Sequence, residues 1–310
     1  MSICVFGSLN MDLVIHTPRL PLPGETLAGT NFQQVPGGKG ANQAVAAARL
    51  GGTVSLIGRV GSDAWGQALL QTLQSDRVDT SGVMVDPEQH TGLALITVAD
   101  QGGNQIVLAA GANGVRDVRC LDHLRSLLPQ MEILLLQLEI PLELVMEAAQ
   151  MAQDAGVTVI LDPAPVPVDF PPSLYGLVDI LTPNRGEASQ LLGMPMESMT
   201  AAKQAVREFK ARGVKIPLLT LAEEGVVWFS DHVDDPQHSP AFPVRAIDTT
   251  AAGDGFNGAL AVALLQSLSL DEAIRWGMAA GALAVQRSGA QPSLASRGEV
   301  EAFLGIGNRE

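Results

Sequence analysis

The chain has 310 residues, of which 46% are hydrophobic and 17% charged, and its formal net charge is −14. This length supports one large domain, and the acidity argues against duplex nucleic acid and anionic membranes as partners, because both bind basic faces. No apolar run reaches the about 18 residues of a membrane span, and the N-terminus lacks the basic region of a signal peptide. Cys4 and Cys120 have no CxxC spacing and predict free thiols in a soluble, cytoplasmic protein.

From the N-terminus onward, short apolar or β-branched runs alternate with segments of helical period. Several of the predicted strands are apolar throughout, which is typical of strands covered by helices on both faces. The alternation predicts a mostly parallel, doubly wound α/β sheet in a single domain over residues 1–310. The predicted strands are 2–8, 53–60, 132–139, 157–162, 178–183 and 216–221, and the predicted helices are 40–51, 63–74, 141–156 and 199–213.

Two segments, at about 12–36 and 91–110, depart from this alternation. The first carries Pro18, Pro21 and Pro23 among short extended pieces, and the second has two β-like runs around a turn at 101–104. An antiparallel insertion in a parallel chain indicates either a lid over the site or a decorative edge hairpin. An exposed hairpin face also commonly pairs with its own copy, so the insertion raises the prospect of a homodimer.

Polar residues follow or end most of the predicted strands. Each of them alone is explained as a helix cap or a turn former. The carboxyl ends of parallel strands meet at one edge of the sheet, where ligands of such folds bind, so the set predicts a polar trough for a hydroxyl-rich ligand. These residues are Asn10, Asp12, Glu139, Asp162, Asn184 and Thr220.

A glycine-rich stretch, VPGGKGANQAV (35–45), places Lys39 between glycines where a helix begins. It is not a Walker A loop, and no GxGxxG dinucleotide fingerprint follows a strand. The pattern indicates either close contact between Lys39 and a ligand or a plain turn with a solvated lysine.

The short pattern NRGE places Asn184 and Glu187 one helical turn apart. Amide and carboxylate oxygens at this spacing suit Mg²⁺ held partly through water. The same pattern is also typical of a helix start with an acidic first turn, so it leaves both interpretations open.

The stretch DTTAAGDGFNGALAVALL (248–265) places Asp254 between two glycines at the mouth of an Ala- and Leu-rich helix. An acid at a helix start is most simply a cap. One cap does not require Ala251, Ala252 and Gly253 as well, and such small residues leave backbone N–H groups open to an anion. The stretch therefore predicts an anion site with a carboxylate beside it.

Seven blocks occur in order along the chain: GSLNMD (7–12), GGKGAN (37–42), GRVGSDAWG (58–66), LQLE (136–139), TPNRGE (182–187), DTTAAGDGF (248–256) and QRSGAQPS (286–293). Together they resemble the ribokinase-like family of carbohydrate kinases over essentially the whole length. The first two blocks are more similar to the ribose-directed branch than to the fructose- or nucleoside-directed branches.

The resemblance implies a three-layer α/β sandwich with a small inserted β lid, and ATP-dependent phosphorylation of a sugar hydroxyl, namely the 5-hydroxyl of D-ribose. The sugar-binding residues that it implies are Asn10, Asp12, Gly38, Lys39, Asn42, Glu139 and Asp254. On the nucleotide side it implies Asn184, Glu187, Thr220, Gly225 and Gly253, with Glu187 reaching Mg²⁺ through water. For a monovalent cation, usually K⁺, it implies Asp248, Thr250, Ala284, Arg287, Gly289 and Ser293, several through backbone carbonyls.

Phosphoryl transfer needs in-line positioning and stabilisation of charge on the moving phosphoryl group. In this interpretation the amides of Ala251, Ala252 and Gly253 form the anion hole, while Asp254 accepts the proton of the attacking hydroxyl. Lys39 is expected to hold the sugar and the closed lid. The family commonly has glycine where this chain has Ala222 and, in its broad signature, where it has Ala251. An unstrained alanine requires φ below zero, which leaves the loop path near Ala222 open.

Other functions remain open at this point. The same fold with another acceptor, such as 2-deoxyribose or adenosine, fits equally, because Asn10 and Asp12 indicate that hydroxyls are bound but not which ones. A sugar-binding regulator without catalysis is a second alternative, against which the intact Asp254 and its glycines weigh. A dehydrogenase is disfavoured by the missing dinucleotide fingerprint.

Overall fold

The computed structural model describes residues 2–100, 103–229 and 235–306. Its strands are β1 Ser2–Phe6, β2 Asn10–Thr17, β3 Asn31–Gly37, β4 Thr53–Gly61, β5 Asp79–Asp86, β6 Gly92–Ala99, β7 Asn104–Ala109, β8 Ile133–Leu136, β9 Thr158–Leu161, β10 Ile180–Leu181, β11 Ile216–Thr220, β12 Val226–Trp228 and β13 Gln237–Ser239. Its α-helices are α1 Lys39–Arg49, α2 Ala64–Ser75, α3 Arg119–Leu127, α4 Leu142–Asp154, α5 Arg185–Leu192, α6 Met199–Ala211, α7 Ala252–Leu265, α8 Leu270–Ala284 and α9 Arg297–Leu304.

The large sheet has the strand order β13-β12-β11-β10-β9-β8-β1-β4-β5. From β5 to β11 every neighbouring pair is parallel, and only β12 and β13 run antiparallel at one edge. All six predicted strands lie in this sheet, which confirms the doubly wound α/β prediction. The sequence analysis did not predict β5, β12 and β13.

Helices cover the sheet on both faces, and alternate residues of one strand enter different cores. Ile3 and Val5 of β1 pack into a cluster formed with α1, α2, α7, α8 and α9. Cys4 and Phe6 point the other way, into a cluster formed with α3, α4, α5 and α6. This period of two explains why the central strands are apolar throughout, and it makes the fold a three-layer sandwich.

A separate four-stranded sheet has the order β3-β2-β6-β7. Strand β2 pairs antiparallel with β3 and parallel with β6, and β6 pairs antiparallel with β7. The β6–β7 pair confirms the predicted hairpin, in which Ala99 N–H donates to Gly103 O at 2.8 Å. The turn residues Gln101 and Gly102 lie outside the described residues. This small sheet fits the predicted β lid. It carries Asp12, a predicted sugar-binding residue, on β2 directly opposite Val35 and Ala94.

Two helices carry the predicted site residues, and they pack closely against each other. Helix α1 begins at Lys39 after Gly38, whose φ of 88° favours glycine. A Cβ at Gly38 would lie 2.6 Å from Asn10 N, so only glycine lets α1 start this close to β2. Further along, a Cβ at Gly258 of α7 would lie 2.6 Å from the Ala46 Cβ of α1. None of the helices in the described ranges has the length and apolar composition of a membrane crossing.

Candidate active site

A polar cavity of about 200 Å³ lies at the carboxyl ends of β9, β10 and β11, where the amino end of α7 also points. This is the edge at which ligands of open α/β sheets bind. The cavity is lined by Lys39, Asp162, Thr182, Asn184, Glu187, Thr220, Thr249, Ala251, Ala252, Gly253, Asp254, Phe256 and Asn257. Four polar residues predicted from strand and helix ends, Asp162, Asn184, Thr220 and Asp254, therefore share one cavity.

The carboxylate of Asp254 is buried in the first turn of α7 and held by two amides of α1. Asn42 Nδ2 donates to Asp254 Oδ2 at 2.9 Å, and Gln43 Nε2 donates to Asp254 Oδ1 at 3.1 Å. Asn42 Oδ1 is buried and has no hydrogen-bond partner among the described residues. A buried acceptor without a donor destabilises the folded protein. A ligand hydroxyl that binds beside Asp254 would supply this donor.

The carboxylate of Glu139 forms hydrogen bonds with Ser8, with the start of β2 and with the start of α1. Its Oε2 accepts from the Ser8 hydroxyl, from Asn10 Nδ2 at 3.4 Å and from Lys39 N–H at 3.2 Å. Behind it, Asn113 Nδ2 donates to Asn10 Oδ1 at 2.8 Å and so fixes the orientation of that amide. The strand-end residues Asn10 and Glu139 are therefore in contact, as the shared edge of the sheet predicts.

Asp12 is buried on β2 beside other acids. Burial raises the pKa of its carboxyl to about 7, and the negative charges of Glu139 and Asp254 add to the shift. A Cβ at Gly37 would lie 2.3 Å from Asp12 Oδ2, so the glycine leaves this carboxylate the space it occupies. Hydrogen bonds from the hydroxyl groups of a ligand would stabilise the ionised form of this poorly solvated carboxyl group.

Lys39 extends from the start of α1 to the cavity, where its Nζ lies 3.7 Å from Asp162 Oδ2. Burial alone would lower the pKa of this ammonium, but Asp162, Asp254, Glu139 and Glu187 raise it above its ordinary value. Burial also raises the pKa of Asp162 to about 7, against the lowering effect of Lys39. Lys39 is therefore a fixed positive charge among carboxylates, and its head group faces the cavity at α7.

The amino end of α7 forms one wall of the cavity. Its N-cap, Ala251, has a φ of 58°, in the left-handed region that alanine rarely adopts. The first N–H groups of a helix have no acceptor within it. Ala252 N–H donates to Thr249 O of the preceding loop at 3.3 Å, and Gly253, the next residue, lines the cavity. Within the part of the chain that the structure describes, no atom lies within 4 Å of a Cβ built at Gly253, so the wall is open here. These features suit an anion.

Asn184 and Glu187 form a capping box at the start of α5. Asn184 N–H donates to Glu187 Oε2 at 2.7 Å, and Glu187 N–H donates to Asn184 Oδ1 at 2.9 Å. Burial is the main cause that raises the pKa of Glu187. The pair caps α5, as the helix-start interpretation predicts, and it also lines the cavity, while its role toward Mg²⁺ stays a prediction.

The structure separates Thr220 and Gly225, which were predicted together for the nucleotide side. Thr220 lines the cavity, whereas Gly225 is in the turn before β12, where a Cβ would lie 2.0 Å from Ser239 O. Its φ of 95° also favours glycine, so this residue is explained by the turn itself. Ala222 in the same turn has a φ of 51°, so the loop adopts the strained path rather than the one that an unstrained alanine requires.

The residues predicted for a monovalent cation lie around the loop before α7 and the end of α8. Asp248 Oδ1 accepts from Thr250 N–H at 2.9 Å, and its Oδ2 accepts from Gly289 N–H at 2.8 Å. Ala284 O accepts from Arg287 N–H at 3.1 Å, and the Arg287 side chain pairs with Glu299. The remaining member, Ser293, donates its hydroxyl to Ala290 O at 2.8 Å. No cluster of three His, Cys, Asp or Glu side chains among the described residues is placed to hold a metal.

Four residues of this network were missed by the sequence analysis: Ser8, Gln43, Asn113 and Gln137. Gln137 Nε2 donates to Gln43 Oε1 at 2.7 Å, and Gln43 in turn holds Asp254. A signal existed for Gln137, because this polar residue directly follows the apolar run ILLL of β8 and precedes Leu138, and it is fully buried. The other three look like ordinary polar residues of a turn or a helix, and nothing in their spacing marks them.

A polar cavity at the carboxyl ends of parallel strands, with a buried carboxylate at a helix start, has features that suit phosphoryl transfer to a small molecule. Residues 1–297 match the model of the pfkB family of carbohydrate kinases, and the chain belongs to that family. It is therefore a sugar kinase, as the sequence blocks predicted.

Individual relatives cover nearly the whole chain. A ribokinase of Haemophilus influenzae is 43% identical over 303 residues, which cover 98% of either chain. A deoxyribokinase of Salmonella typhimurium is 33% identical over 306 residues, covering 99% of each. Among solved structures, Arabidopsis thaliana ribokinase complexed with ribose and ATP superposes with a TM-score of 0.89 at 35% identity, and 98% of each chain is covered.

Proposed function

We propose that this kinase transfers the γ-phosphoryl group of ATP to the 5-hydroxyl of D-ribose, giving ADP and D-ribose 5-phosphate. The observation that carries the proposal is Asp254, a buried carboxylate whose two oxygens are each held by an amide beside the open N–H groups of α7. The ribokinases among the relatives, one of them complexed with ribose and ATP, support ribose as the acceptor.

The sugar would bind between β2 and the start of α1. Asp12 and Glu139 are carboxylate acceptors there, and Asn42 Oδ1 is a buried acceptor without a partner in the described structure. Asn10 is already held by Asn113 and Glu139, so its amide is oriented before the ligand arrives. Gly38, which lets the start of α1 lie against the backbone of β2, is the proposed backbone contact of the sugar. A ligand with several hydroxyl donors satisfies this set of acceptors.

In the transfer step the proton of the 5-hydroxyl passes to Asp254. The sugar oxygen forms a bond to the γ-phosphorus while the bond to the bridging oxygen breaks, and ADP leaves with that electron pair. The N–H groups of Ala251, Ala252 and Gly253 would stabilise the charge on the moving phosphoryl group, and Lys39, which lines the same cavity, would hold the sugar and the closed lid. One well-placed donor is typically worth about 10²- to 10³-fold in rate, and the base on the order of 10²- to 10⁴-fold.

Glu187 and Asn184 would serve Mg²⁺ through bound water rather than as direct ligands. Their capping box already occupies one lone pair on each Glu187 oxygen and on the Asn184 oxygen, and the remaining lone pairs suit water. When bound, Mg²⁺ supplies charge neutralisation on the nucleotide phosphates.

K⁺ is proposed as the monovalent activator, at the loop that leads into α7. The loop carries Asp248, whose carboxylate accepts from the N–H groups of Thr250 and Gly289 and so ties the segment before α7 to the segment after α8. Backbone oxygens of Ala284 and Arg287, with Ser293, would complete the set. A cation there would set the position of the loop and hence of Ala251, the N-cap of the anion wall.

The small sheet is proposed as both the lid and a homodimer contact. Leu13 pairs with Leu95, and Leu95 with Val107, so these three side chains share the face opposite to Asp12. Leu95, Val107 and the neighbouring Phe32 are about half exposed or more, at 49%, 63% and 57%. An apolar face of this kind on a small sheet supports pairing with a second copy.

A cytoplasmic location is part of the same proposal. Cys4 and Cys120 are both buried free thiols. Such cysteines are typical of a reducing compartment.

The decisive experiment follows ADP release by the purified protein with ATP, Mg²⁺ and K⁺, offering D-ribose, 2-deoxyribose, fructose and adenosine in parallel. We expect rapid turnover of ribose and a loss on the order of 10²- to 10⁴-fold in Asp254→Asn, because the proton then has no acceptor. A parallel series replaces K⁺ by tetramethylammonium, and an unchanged rate there would remove the cation proposal.

A second candidate function is phosphorylation of 2-deoxyribose, which the full-length similarity to a deoxyribokinase favours. The same fold and the same base would serve it, and only the contacts to the 2-hydroxyl would differ. Faster turnover of 2-deoxyribose than of ribose in the panel would establish this candidate. Silence on all four acceptors with measurable ribose binding would instead indicate a sugar-binding regulator.

A further inference from the structure

Gln43 is fully buried in α1, directly after Asn42, and its side chain joins two carboxylates. Its Nε2 donates to Asp254 Oδ1 at 3.1 Å and to Asp162 Oδ2 at 3.0 Å. An amide nitrogen has two hydrogens, so one group serves both acids without sharing a hydrogen. The polar face of α1 thus contacts the proposed base and the acid that pairs with Lys39.

The orientation of the Gln43 amide is determined by its other partner. Gln137 Nε2 donates to Gln43 Oε1 at 2.7 Å, which leaves only the nitrogen of Gln43 to face the carboxylates. The amide nitrogen donates to both carboxylates, so the reversed orientation would place the Gln43 oxygen against Asp254 Oδ1 and Asp162 Oδ2. Gln137 and Gln43 are both fully buried, and Gln137 Oε1 has no hydrogen-bond partner among the described residues.

Gly7 makes room for the second glutamine. A Cβ at Gly7 would lie 2.0 Å from Gln137 Oε1, closer than any side chain tolerates. The glycine of the first sequence block therefore admits the residue that orients Gln43. Three segments far apart in the chain, at Gly7, Gln43 and Gln137, combine behind Asp254.

We infer that Gln43, oriented by Gln137, is a positioning residue that holds the carboxylate of Asp254 in line for proton transfer from the sugar hydroxyl. Asn42 holds one oxygen of Asp254 and Gln43 the other, so the plane of the carboxylate is fixed from two sides. Asp162 Oδ2 also accepts from this amide and lies 3.7 Å from Lys39 Nζ. Gln43 therefore contacts both the proposed base, Asp254, and the acid that pairs with Lys39. This inference rests on the proposed function of Asp254.

The test compares kcat for ribose phosphorylation in Gln43→Met and in the wild type. Methionine keeps the length of the side chain but donates no hydrogen bond. We expect kcat to fall about 10- to 100-fold, because a misplacement of about 1 Å can cost about 10²-fold in rate. The ribose dissociation constant, measured by calorimetry, should change little, because Gln43 is not among the proposed sugar contacts. Rates are expressed per ribose-binding site, so partial misfolding does not lower them.

A double-mutant cycle with Asp254→Asn separates positioning from a structural role. If Gln43 acts through Asp254, Gln43→Met produces little further loss in the Asp254→Asn background, measured in single turnovers with enzyme in excess. An equal fold-loss in both backgrounds would overturn the inference. So would an unchanged kcat per binding site in Gln43→Met.

Gln137→Met provides a second variant, because it leaves Gln43 in place but frees its amide to rotate. A smaller fall in kcat is expected, which should also disappear in the Asp254→Asn background. Loss of ribose binding in both methionine variants would assign the pair to folding and overturn the inference. A wild type inactive on every acceptor would contradict the proposed function itself, whereas an active wild type with an unaffected Gln43→Met contradicts only the role of Gln43.

Discussion

At the scale of single residues, the site concentrates carboxyl groups that are poorly solvated. Asp12 and Asp162 are both buried, and burial is the main cause that raises the pKa of each to about 7. A buried acid without a full set of donors destabilises the folded state wherever it is ionised. The protein retains these acids where a ligand would contact them, which is a common conflict between stability and function.

Asp12→Asn should change how stability depends on pH. The folded protein holds a proton on Asp12 up to about pH 7, whereas the unfolded chain loses it at the ordinary value of 3.8. Between these values the folded state binds more protons, so its stability falls as pH rises, and this loss is absent in the variant. From pH 5 to pH 8 the variant should gain up to about 3 kcal/mol in free energy of unfolding relative to the wild type.

Urea unfolding of the ligand-free proteins at several pH values measures this effect. Asp122→Asn is a matched control, because it removes an equally charged side chain that is 70% exposed on α3. The control should follow the wild type at every pH. If the free energies of unfolding of Asp12→Asn and the wild type change in parallel between pH 5 and pH 8, the buried Asp12 does not destabilise the folded protein as predicted.

Two alanines show a limit of prediction at this scale. Ala222 and Ala251 have φ values of 51° and 58°, although an unstrained alanine requires φ below zero. Each costs on the order of 1 kcal/mol, and the surrounding bonds maintain it. At Ala222 the turn is closed by Leu221 N–H donating to Gly225 O at 2.7 Å. Residue type predicts the preferred backbone conformation, but tertiary hydrogen bonds decide which conformation is adopted.

At the scale of elements, the central strands could be predicted because they are apolar throughout. Strands β1, β4, β8, β9, β10 and β11 all lie in predicted segments. Of the three missed strands, β5 and β13 are the two edges of the sheet, and β12 lies between β13 and β11. β13 reads QHS and only two of the eight residues of β5 are buried, so neither has the uniform apolar character of the others. Edge strands are determined by pairing with a neighbour, which local sequence does not report.

Leu95→Asp should convert the proposed homodimer to a monomer. Leu95 is 49% exposed on β6, on the face of the small sheet opposite to Asp12, and a charge there would have to be desolvated in a dimer contact. Sedimentation velocity measures the change in mass. Val85→Asp is the control, since Val85 is similarly exposed, at 54%, but lies on β5 of the large sheet.

The wild type and the control are expected to sediment alike as dimers. Equal masses for all three proteins would contradict a contact through this face. A monomeric wild type would remove the dimer from the proposal while leaving the lid unaffected.

At the scale of the whole molecule, the site joins residues that are remote in the chain. Asn42 and Asp254 are 212 positions apart, and Ser8 and Glu139 are 131 apart. The sequence identified many of these residues, because strand ends and helix starts of an α/β sheet converge on one edge. It did not identify which side chains would pair, and so it missed Gln43 and Asn113. A buried amide inside a helix has the same local pattern as a core position, and only the assembled layers show what it faces.

The raised pKa of Asp12 also links ligand binding to the exchange of protons with the solvent. Near pH 7 the carboxyl is about half protonated, and hydroxyl donors of a bound sugar favour its ionised form. Ribose binding should therefore release protons, which the buffer takes up with its own heat of ionisation. The binding enthalpy at pH 7 should then differ between phosphate and Tris, and the difference should vanish near pH 9 and in Asp12→Asn. Equal enthalpies in the two buffers at pH 7 would show that the sugar does not contact this acid. The number of protons released on binding therefore tests where the sugar binds.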